Sequence, residues 1–286
     1  SVMQRMDLSG TWRLTGAGQD IVVAIPGDTH SALLAAGKID DPYWGINELG
    51  LQPLNGEGWV FSHSFEVAAE ILTAASVYLH FDSIDTVATV SINGLQVGQS
   101  DNMFARRRYS VKDQLRAGSN EIEVRVRSAE QVARERSEQM PYEIPGSDYP
   151  IQSPHRNLVR KVQCHAGWDW GCCLMVAGVY GDVYIGTASP GRIEHVYTTQ
   201  RHEDGICHVE VCVEVDAASA GETQLLVELD GQAVRRDVVL VSGTNVFTET
   251  VTVPQPALWW PNGHGEQPLY ELSVQIAGDG VTKRLG

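Results

Sequence analysis

At 286 residues the chain has room for two domains. Its hydrophobic fraction is 43%, and it lacks an apolar run near the ~18 residues that a membrane helix needs, which excludes disordered and helix-spanning membrane classes. Thirty-six acidic against 21 basic residues give a formal charge of −15, which disfavours nucleic acid and anionic membrane as partners and suits a neutral substrate.

The opening residues, SVMQRMDLSG, contain no apolar signal core, and Ser1-Val2 ahead of Met3 reads as an expression remnant. A cytoplasmic location is expected; a signal peptide already removed would make it periplasmic. Trp44 in DPYWGINE reads as a loop residue and Trp59 in EGWVFSHSFEV as strand core. Val77–Phe81, Val87–Ile92 and Ile122–Val126 alternate or run apolar over strand lengths. Asn93-Gly94, between TVATVSI and LQVGQS, predicts a type I′ hairpin. Arg106, Arg107 and Arg108 read as a solvated turn, too small a cluster for a phosphate patch.

Ser128–Met140, SAEQVARERSEQM, is the one convincing helix, opened by a serine in a capping-box pattern. About seven strands precede Thr187–Arg192, TASPGR, which reads as a linker. Beyond it IEHVYTTQ, CHVEVCVEV, TQLLVELD, AVRRDVVLV, FTETVTV and LYELSVQIA alternate, with Asp230-Gly231 as a second hairpin turn. Their count and length are those of an immunoglobulin-like domain. Turn signals about every 8–12 residues predict an all-β chain of sandwiches and not βαβ units. The end, VTKRLG, has no turn or cap and reads as a cut within a larger protein.

The most unusual stretch is CHAGWDWGCC, residues 164–173. Cys164, His165, Cys172 and Cys173 are soft metal ligands, but structural zinc wants paired spacings such as C-x2-C, and adjacent cysteines supply two tetrahedral corners poorly. With Cys207 and Cys212 the cysteine count is five, odd and low for a disulfide scaffold, so packed free thiols are expected. Glycoside hydrolysis needs two carboxylates in a rigid cleft, and no local pair stands out. A nucleophile elbow, a phosphate-cradling glycine loop and a His-Glu-x-x-His helix are all missing from the sequence, so neither a self-sufficient catalytic apparatus nor a cofactor is expected.

Sugar binding fits better. Aromatic rings stack on the C–H face of a pyranose while a carboxylate accepts from its hydroxyls, and Trp168-Asp169-Trp170 offers both between Gly167 and Gly171. The alternative stands beside it: in a strand both indoles would share a core-facing side, and Asp169 would bond backbone amides or an arginine. Arg156 and Arg160 in PHRNLVRK read either as a ligand clamp or as partners of Asp169, with pairing favoured. Trp259-Trp260 in LWWPNGHGEQPLY reads as interdomain packing.

LSGTWRL, IPGDTHSALLAAGKIDDPYWGINE, WVFSHSFEV, HFDSIDTVATVSINGLQVGQSDNMFARRRYSV, QCHAGWDWG and LWWPNGHGEQPLYELSV occur in that order over essentially the whole chain. Together they resemble the N-terminal region of the β-mannosidases of glycoside hydrolase family 2. The resemblance implies a galactose-binding-like jelly-roll domain over 1–187, an immunoglobulin-like β-sandwich over 188–286, and a downstream (β/α)8 barrel carrying the catalytic glutamates. It further implies a retaining exo-β-mannosidase acting on mannose-containing oligosaccharide, and an isolated chain that hydrolyses nothing. Asp169 matches the family aspartate that binds hydroxyls of the terminal mannose, and Trp168, Trp170 and His165 fall in the same loop as its substrate-binding support. The rivals are another family 2 activity, β-galactosidase or exo-β-glucosaminidase, and a free-standing carbohydrate-binding module. Three departures are expected to loosen the loop: Ala166 replaces an aromatic, Cys172-Cys173 a Pro-Arg pair, and Gly181 an arginine.

Overall fold

The structure is a computed structural model and describes residues 4–146, 152–188 and 190–286. It divides into two compact units, one built from Arg5–Leu72 and Val77–Gly186, the other from Thr187–Gly286 with Thr73–Ser76 and Gln4.

In the first unit the strands run β1 (Arg5–Asp7), β2 (Gly10–Gly16), β3 (Gln19–Ile25), β4 (Gly27–Asp28), β5 (Trp59–Val67), β6 (Ser76–Asp85), β7 (Ala88–Ile92), β8 (Leu95–Ser100), β9 (Arg107–Ser110), β10 (Gly118–Val126) and β11 (Gly178–Ala188). Three helices interrupt them: α1 (Thr29–Ala35), α2 (Asn47–Leu51) and α3 (Ala129–Glu138). One sheet has the order β3-β2-β5-β10-β7-β8; the other runs β1-β11-β6-β9, with β4 also on β11. Period-two patterning drives the stacking. On β10, Ile122, Val124 and Val126 are buried while Glu121 and Arg125 face out. Trp12, Phe61, Leu79 and Phe81 fill the space between the sheets, each no more than 2% exposed, and the Trp12 indole N–H donates to Leu8 O at 2.8 Å. Burying each such side chain contributes roughly 1.5–3 kcal/mol.

The second unit carries β12 (Gly191–Glu203), β13 (Ile206–Ala217), β14 (Gly221–Leu229), β15 (Gln232–Leu240), β16 (Gly243–Pro254), β17 (Tyr270–Ile276) and β18 (Asp279–Leu285). Its sheets have the orders β12-β13-β16 and β15-β14-β17-β18, an all-antiparallel sandwich of three strands on four. Val209, Val211, Val213 and Val215 alternate into its core opposite Leu225, Val227, Leu272 and Val274.

The all-β class is observed, and both hairpin turns take the left-handed geometry that type I′ requires: Asn93 φ 51° and Gly94 φ 81°, Asp230 φ 50° and Gly231 φ 74°. Trp59 is core and Trp44 an exposed loop residue, as read from the sequence. Helix α3 starts as expected, with Ser128 Oγ accepting the Gln131 N–H at 3.1 Å.

Other expectations need correction. Among the described residues eleven strands, not about seven, precede residue 189, because β1, β4 and β9 are too short to show alternation. Helices α1 and α2 were not expected; α1 follows from the Asp28 N-cap, whose Oδ1 accepts the His30 and Ser31 N–H groups at 2.9 Å. The presumed linker Thr187–Arg192 is largely strand, since β11 extends through Ala188 and β12 begins at Gly191; Ser189 lies outside the described residues. Arg107 and Arg108 belong to strand β9, not a solvated turn. There the Arg108 Nε–H donates to His80 Nδ1 at 3.1 Å, and Arg107 pairs with Asp101 at 2.9 Å.

Candidate functional site

Between Val159 and β11 the chain turns twice in short 3-10 turns, Gln163–His165 and Trp168–Trp170. Gly167 enters the second turn at φ 86°, and two non-glycine residues follow in the left-handed region, Asp169 at φ 61° and Trp170 at φ 60°. Left-handed backbone costs an L-residue roughly 1–2 kcal/mol, so such strain persists only where neighbouring structure fixes the ends of the turn.

Those ends are firmly held. Ala166 and Cys173 form an antiparallel bridge and are 1% and 0% exposed. The Cys173 N–H donates to Glu48 Oε1 of α2 at 2.5 Å, and Cys173 O accepts from Gln52 Nε2 at 2.9 Å. Asn55 Oδ1 accepts the Met175 N–H at 3.1 Å, while Asn55 O accepts from the α3 cap residue Ser128 at 2.6 Å. Ala129, Val132 and Ala133 of α3 pack on Ala166, Cys173 and Met175 as a small apolar cluster. Small side chains at 166 and 173 fit beneath α3 at the base of the loop. Gly181 is small for a comparable reason: at φ 69° its Cβ would sit 2.5 Å from Asp82 Oδ2, which accepts the Asp182 N–H at 2.8 Å.

The tip projects from this base. Trp168 is 50% exposed, Trp170 is 77% exposed, and Asp169 between them is exposed too. Strand-like alternation, with both indoles on a core face, is not what forms. The expected pairing with arginine is not made either: Arg156 is buried, donates to Gln152 Oε1 at 2.9 Å, and lies 6.0 Å from the centre of the Trp168 ring, while Arg160 is solvent-exposed. Among the described residues the Asp169 carboxylate has no hydrogen bond or ion pair.

Behind the loop lies a buried polar knot that the sequence did not announce. Asp85, at the end of β6, accepts on Oδ2 from Lys161 Nζ at 2.6 Å, and both side chains are almost wholly buried. The Tyr180 hydroxyl approaches the same oxygen at 3.5 Å, Thr86 Oγ1 donates to Oδ1, and Lys161 Nζ also donates to Val176 O at 2.5 Å. His165 Nδ1 lies 3.6 Å from Asp85 Oδ2, inside ion-pair range but too long for a hydrogen bond. His165 thus connects the loop to the knot while Trp168, Asp169 and Trp170 face outward.

Burial lowers the Lys161 amine, against the pull of Asp85, and raises the Tyr180 hydroxyl. The His165 imidazole is held below its ordinary value first by burial and then by the Lys161 charge. His30 of α1 is pushed down to about 4 by burial, with Nδ1 3.0 Å from Thr29 Oγ1 and Nε2 without a hydrogen bond among the described residues. Asp28, His30, Cys164, His165, Cys172 and Tyr180 border a cleft of about 550 Å³. Burial raises the Cys173 thiol to about 11, which disfavours a metal-binding thiolate, and no group of three ligating side chains in metal geometry occurs among the described residues. All five cysteines are free thiols.

In the second unit, Trp259 and Trp260 sit between β16 and β17, 44% and 47% exposed. They border a cavity of about 210 Å³ with Val253, Tyr270 and Leu285.

Residues 12–181 match the profile described as glycosyl hydrolase 2 galactose-binding domain-like, and residues 191–286 that of glycosyl hydrolases family 2. The chain belongs to glycoside hydrolase family 2. It is similar to β-mannosidase B of Emericella nidulans, 33% identical over 262 residues that make up 89% of this chain and 30% of that protein. It is also similar to β-mannosidase B of Aspergillus oryzae, 34% identical over 276 residues, 93% of this chain and 32% of that protein. A crystal structure of β-D-mannosidase from Dictyoglomus thermophilum superposes with a TM-score of 0.90 at 30% identity, over 99% of this chain and 36% of that one. An exo-chitosanase from Amycolatopsis orientalis, at 17% identity and a TM-score of 0.71 over 99% of this chain and 33% of that one, shares the fold. The chain spans about a third of the length of the curated relatives it matches.

Proposed function

We propose that this chain is the sugar-contacting N-terminal part of a retaining exo-β-mannosidase, which removes terminal non-reducing β-D-mannose from oligosaccharides. In this reading a downstream barrel domain supplies the catalytic carboxylates, and the 286-residue chain alone hydrolyses nothing. Asp169 accepts hydrogen bonds from mannose hydroxyls, Trp168 and Trp170 give apolar surface for the sugar ring, and His165 ties the loop to Asp85.

The observation that carries this reading is the Asp169 carboxylate itself: exposed, in left-handed backbone, and without a protein partner among the described residues. A structural carboxylate is satisfied by its own fold, as Asp85 is; one left open on a braced loop is available to a ligand. In water such a carboxylate exchanges hydration for sugar hydroxyls at little net gain. Against a barrel it would lie in a partly dehydrated pocket, where a hydrogen bond to a charged acceptor contributes roughly 1.5–3 kcal/mol. Bonds that tighten as the ring distorts toward an oxocarbenium-like transition state lower the barrier as well as KM. The naming of the relatives favours mannose over the galactose and glucosamine alternatives.

The test is hydrolysis of aryl β-mannoside, β-galactoside and β-glucosaminide by the protein carrying the downstream sequence, with the product anomer followed by NMR. The reading requires preference for the β-mannoside, retention of configuration, and no turnover by the 286-residue chain. Preference for another glycoside, inversion, or turnover by the chain alone overturns it.

A further inference from the structure

The second sandwich is open at one end. Val209 of β13, Leu229 of β14 and Val253 of β16 are core residues, each no more than 4% exposed, yet they also line the cavity of about 210 Å³ beside Trp259 and Trp260. The cavity therefore leads into the core. Its rim is apolar as well: Leu258, Trp259, Trp260 and Leu269 are each between 44% and 49% exposed. These indoles are held firmly. The Trp260 N–H donates to Glu266 O at 2.9 Å, and the Ala257 N–H donates to Tyr270 Oη at 2.8 Å. Gly265 approaches so closely that a Cβ there would lie 2.7 Å from Trp260 Cδ1. Large apolar side chains fixed by the fold and still half-exposed mark an interaction surface.

Two features say what covers it. The first is chemistry. A volume of 210 Å³ is below the range of small-molecule sites, about 300–1,000 Å³, and is enough for one large hydrocarbon side chain. The lining is largely aliphatic and indole, so the hydroxyls of a buried pyranose would find few partners there. The second feature is position. Gly286 itself lines the cavity: a Cβ on it would lie 3.0 Å from Trp259 Cδ1 and 3.2 Å from Leu269 Cδ2, and Gly286 O accepts from Gln200 Nε2 at 3.3 Å. Residues that follow Gly286 are thus delivered to the cavity by the chain itself, and a tethered group needs far less intrinsic affinity than a free one. The matched relatives supply such residues, since this chain covers only 30% and 32% of their length.

We propose that one large apolar side chain, from the first three or so residues after Gly286 in the full-length protein, fills this cavity, and that the chain beyond it lies over Trp259 and Trp260. Successive Cα atoms are about 3.8 Å apart, so only the first few residues stay within side-chain reach of a cavity of this size. The filled cavity closes the open end of the second sandwich and fixes where the downstream domain starts. The proposal rests on the reading that a downstream domain follows, and on nothing about the sugar that domain acts on.

Fluorine NMR of 5-fluorotryptophan tests it, in the 286-residue chain and in the protein carrying the downstream sequence, with lines assigned through Trp259→Phe and Trp260→Phe. In the 286-residue chain both lines shift between H2O and D2O, as half-exposed indoles require. In the longer protein both lose that shift, and alanine in place of the first large apolar residue after Gly286 restores it. If that variant does not fold, the comparison of the two wild-type proteins decides. Lines that stay solvent-sensitive in the longer protein, or a downstream sequence whose first few residues include no large apolar one, overturn the proposal. So does protection in the 286-residue chain that grows with protein concentration, which places a second copy on the surface, or protection by added mannose, which places a sugar there. Hydrolysis of an aryl β-mannoside, measured on the same longer protein, separates the two readings. Protected lines without hydrolysis leave this proposal standing and remove the mannosidase, whereas hydrolysis with both lines exposed removes this proposal alone.

Discussion

Asp85 and Asp169 belong to the same unit and have opposite surroundings. Asp85 is wholly buried and accepts from Lys161 Nζ at 2.6 Å, with Tyr180 and His165 beside it. Asp169 stands in solvent on a left-handed turn, with no protein partner among the described residues. A buried charge without its partner is so costly that such an acid is fixed by the fold. An exposed one contributes almost nothing to the fold, so selection can place it for another purpose. His165 lies between the two: it faces Asp85 at 3.6 Å and sits four residues before Asp169.

This contrast can be broken or sharpened by measurement. The largest effect belongs to the knot. Lys161→Met leaves Asp85 buried without a countercharge, and urea unfolding should show a loss of about 3–5 kcal/mol. A loss near the value for an ordinary surface change would mean that the knot is not holding the unit together.

The next effect is on pH. His30 has a folded value of about 4 against an ordinary 6.5, so between those limits the unfolded chain binds the extra proton. Stability from this group is complete above pH 6.5 and falls as pH drops toward 4, by about 3 kcal/mol in total. His165 is displaced in the same direction by burial. Urea midpoints at several pH values should show the decline, and His30→Gln should flatten it; an unchanged slope in that variant would remove His30 as the cause.

A smaller effect concerns Gly181. Gly181→Ala places a Cβ against Asp82 Oδ2 in left-handed backbone and should cost about 1–3 kcal/mol by thermal melt. Neutral behaviour there would mean the turn relaxes freely. The smallest effect on stability is at the tip, where Asp169→Ala should change the unfolding free energy of the chain by no more than about 0.5 kcal/mol.

What could be read from the sequence follows the range of the physics. Alternation along β10 and β13, the Asn93-Gly94 and Asp230-Gly231 turns and the Ser128 cap are local signals, and each forms as read. The aromatic–acid–aromatic stretch stood out by composition, but its backbone did not, since left-handed Asp169 and Trp170 depend on contacts from α2, α3 and Asn55. The Lys161–Asp85 pair joins residues 76 apart, with no periodicity to expose it. Its faint trace is the aspartate that ends strand β6, HFDSID, and one lysine following LVR. Arg156 was assigned to Asp169 on nearness in sequence alone, and the fold instead buries it against Gln152 and the Trp168 ring.

The central claim is that Asp169 serves a ligand and not the fold, and kcat/KM of Asp169→Ala in the protein carrying the downstream domain tests it most directly. Loss of one hydrogen bond to a charged acceptor that strengthens in the transition state predicts at least about a tenfold fall in kcat/KM toward a β-mannoside, with the protein still folded. Wild-type kcat/KM in that variant would contradict the account and leave Asp169 without a role in catalysis.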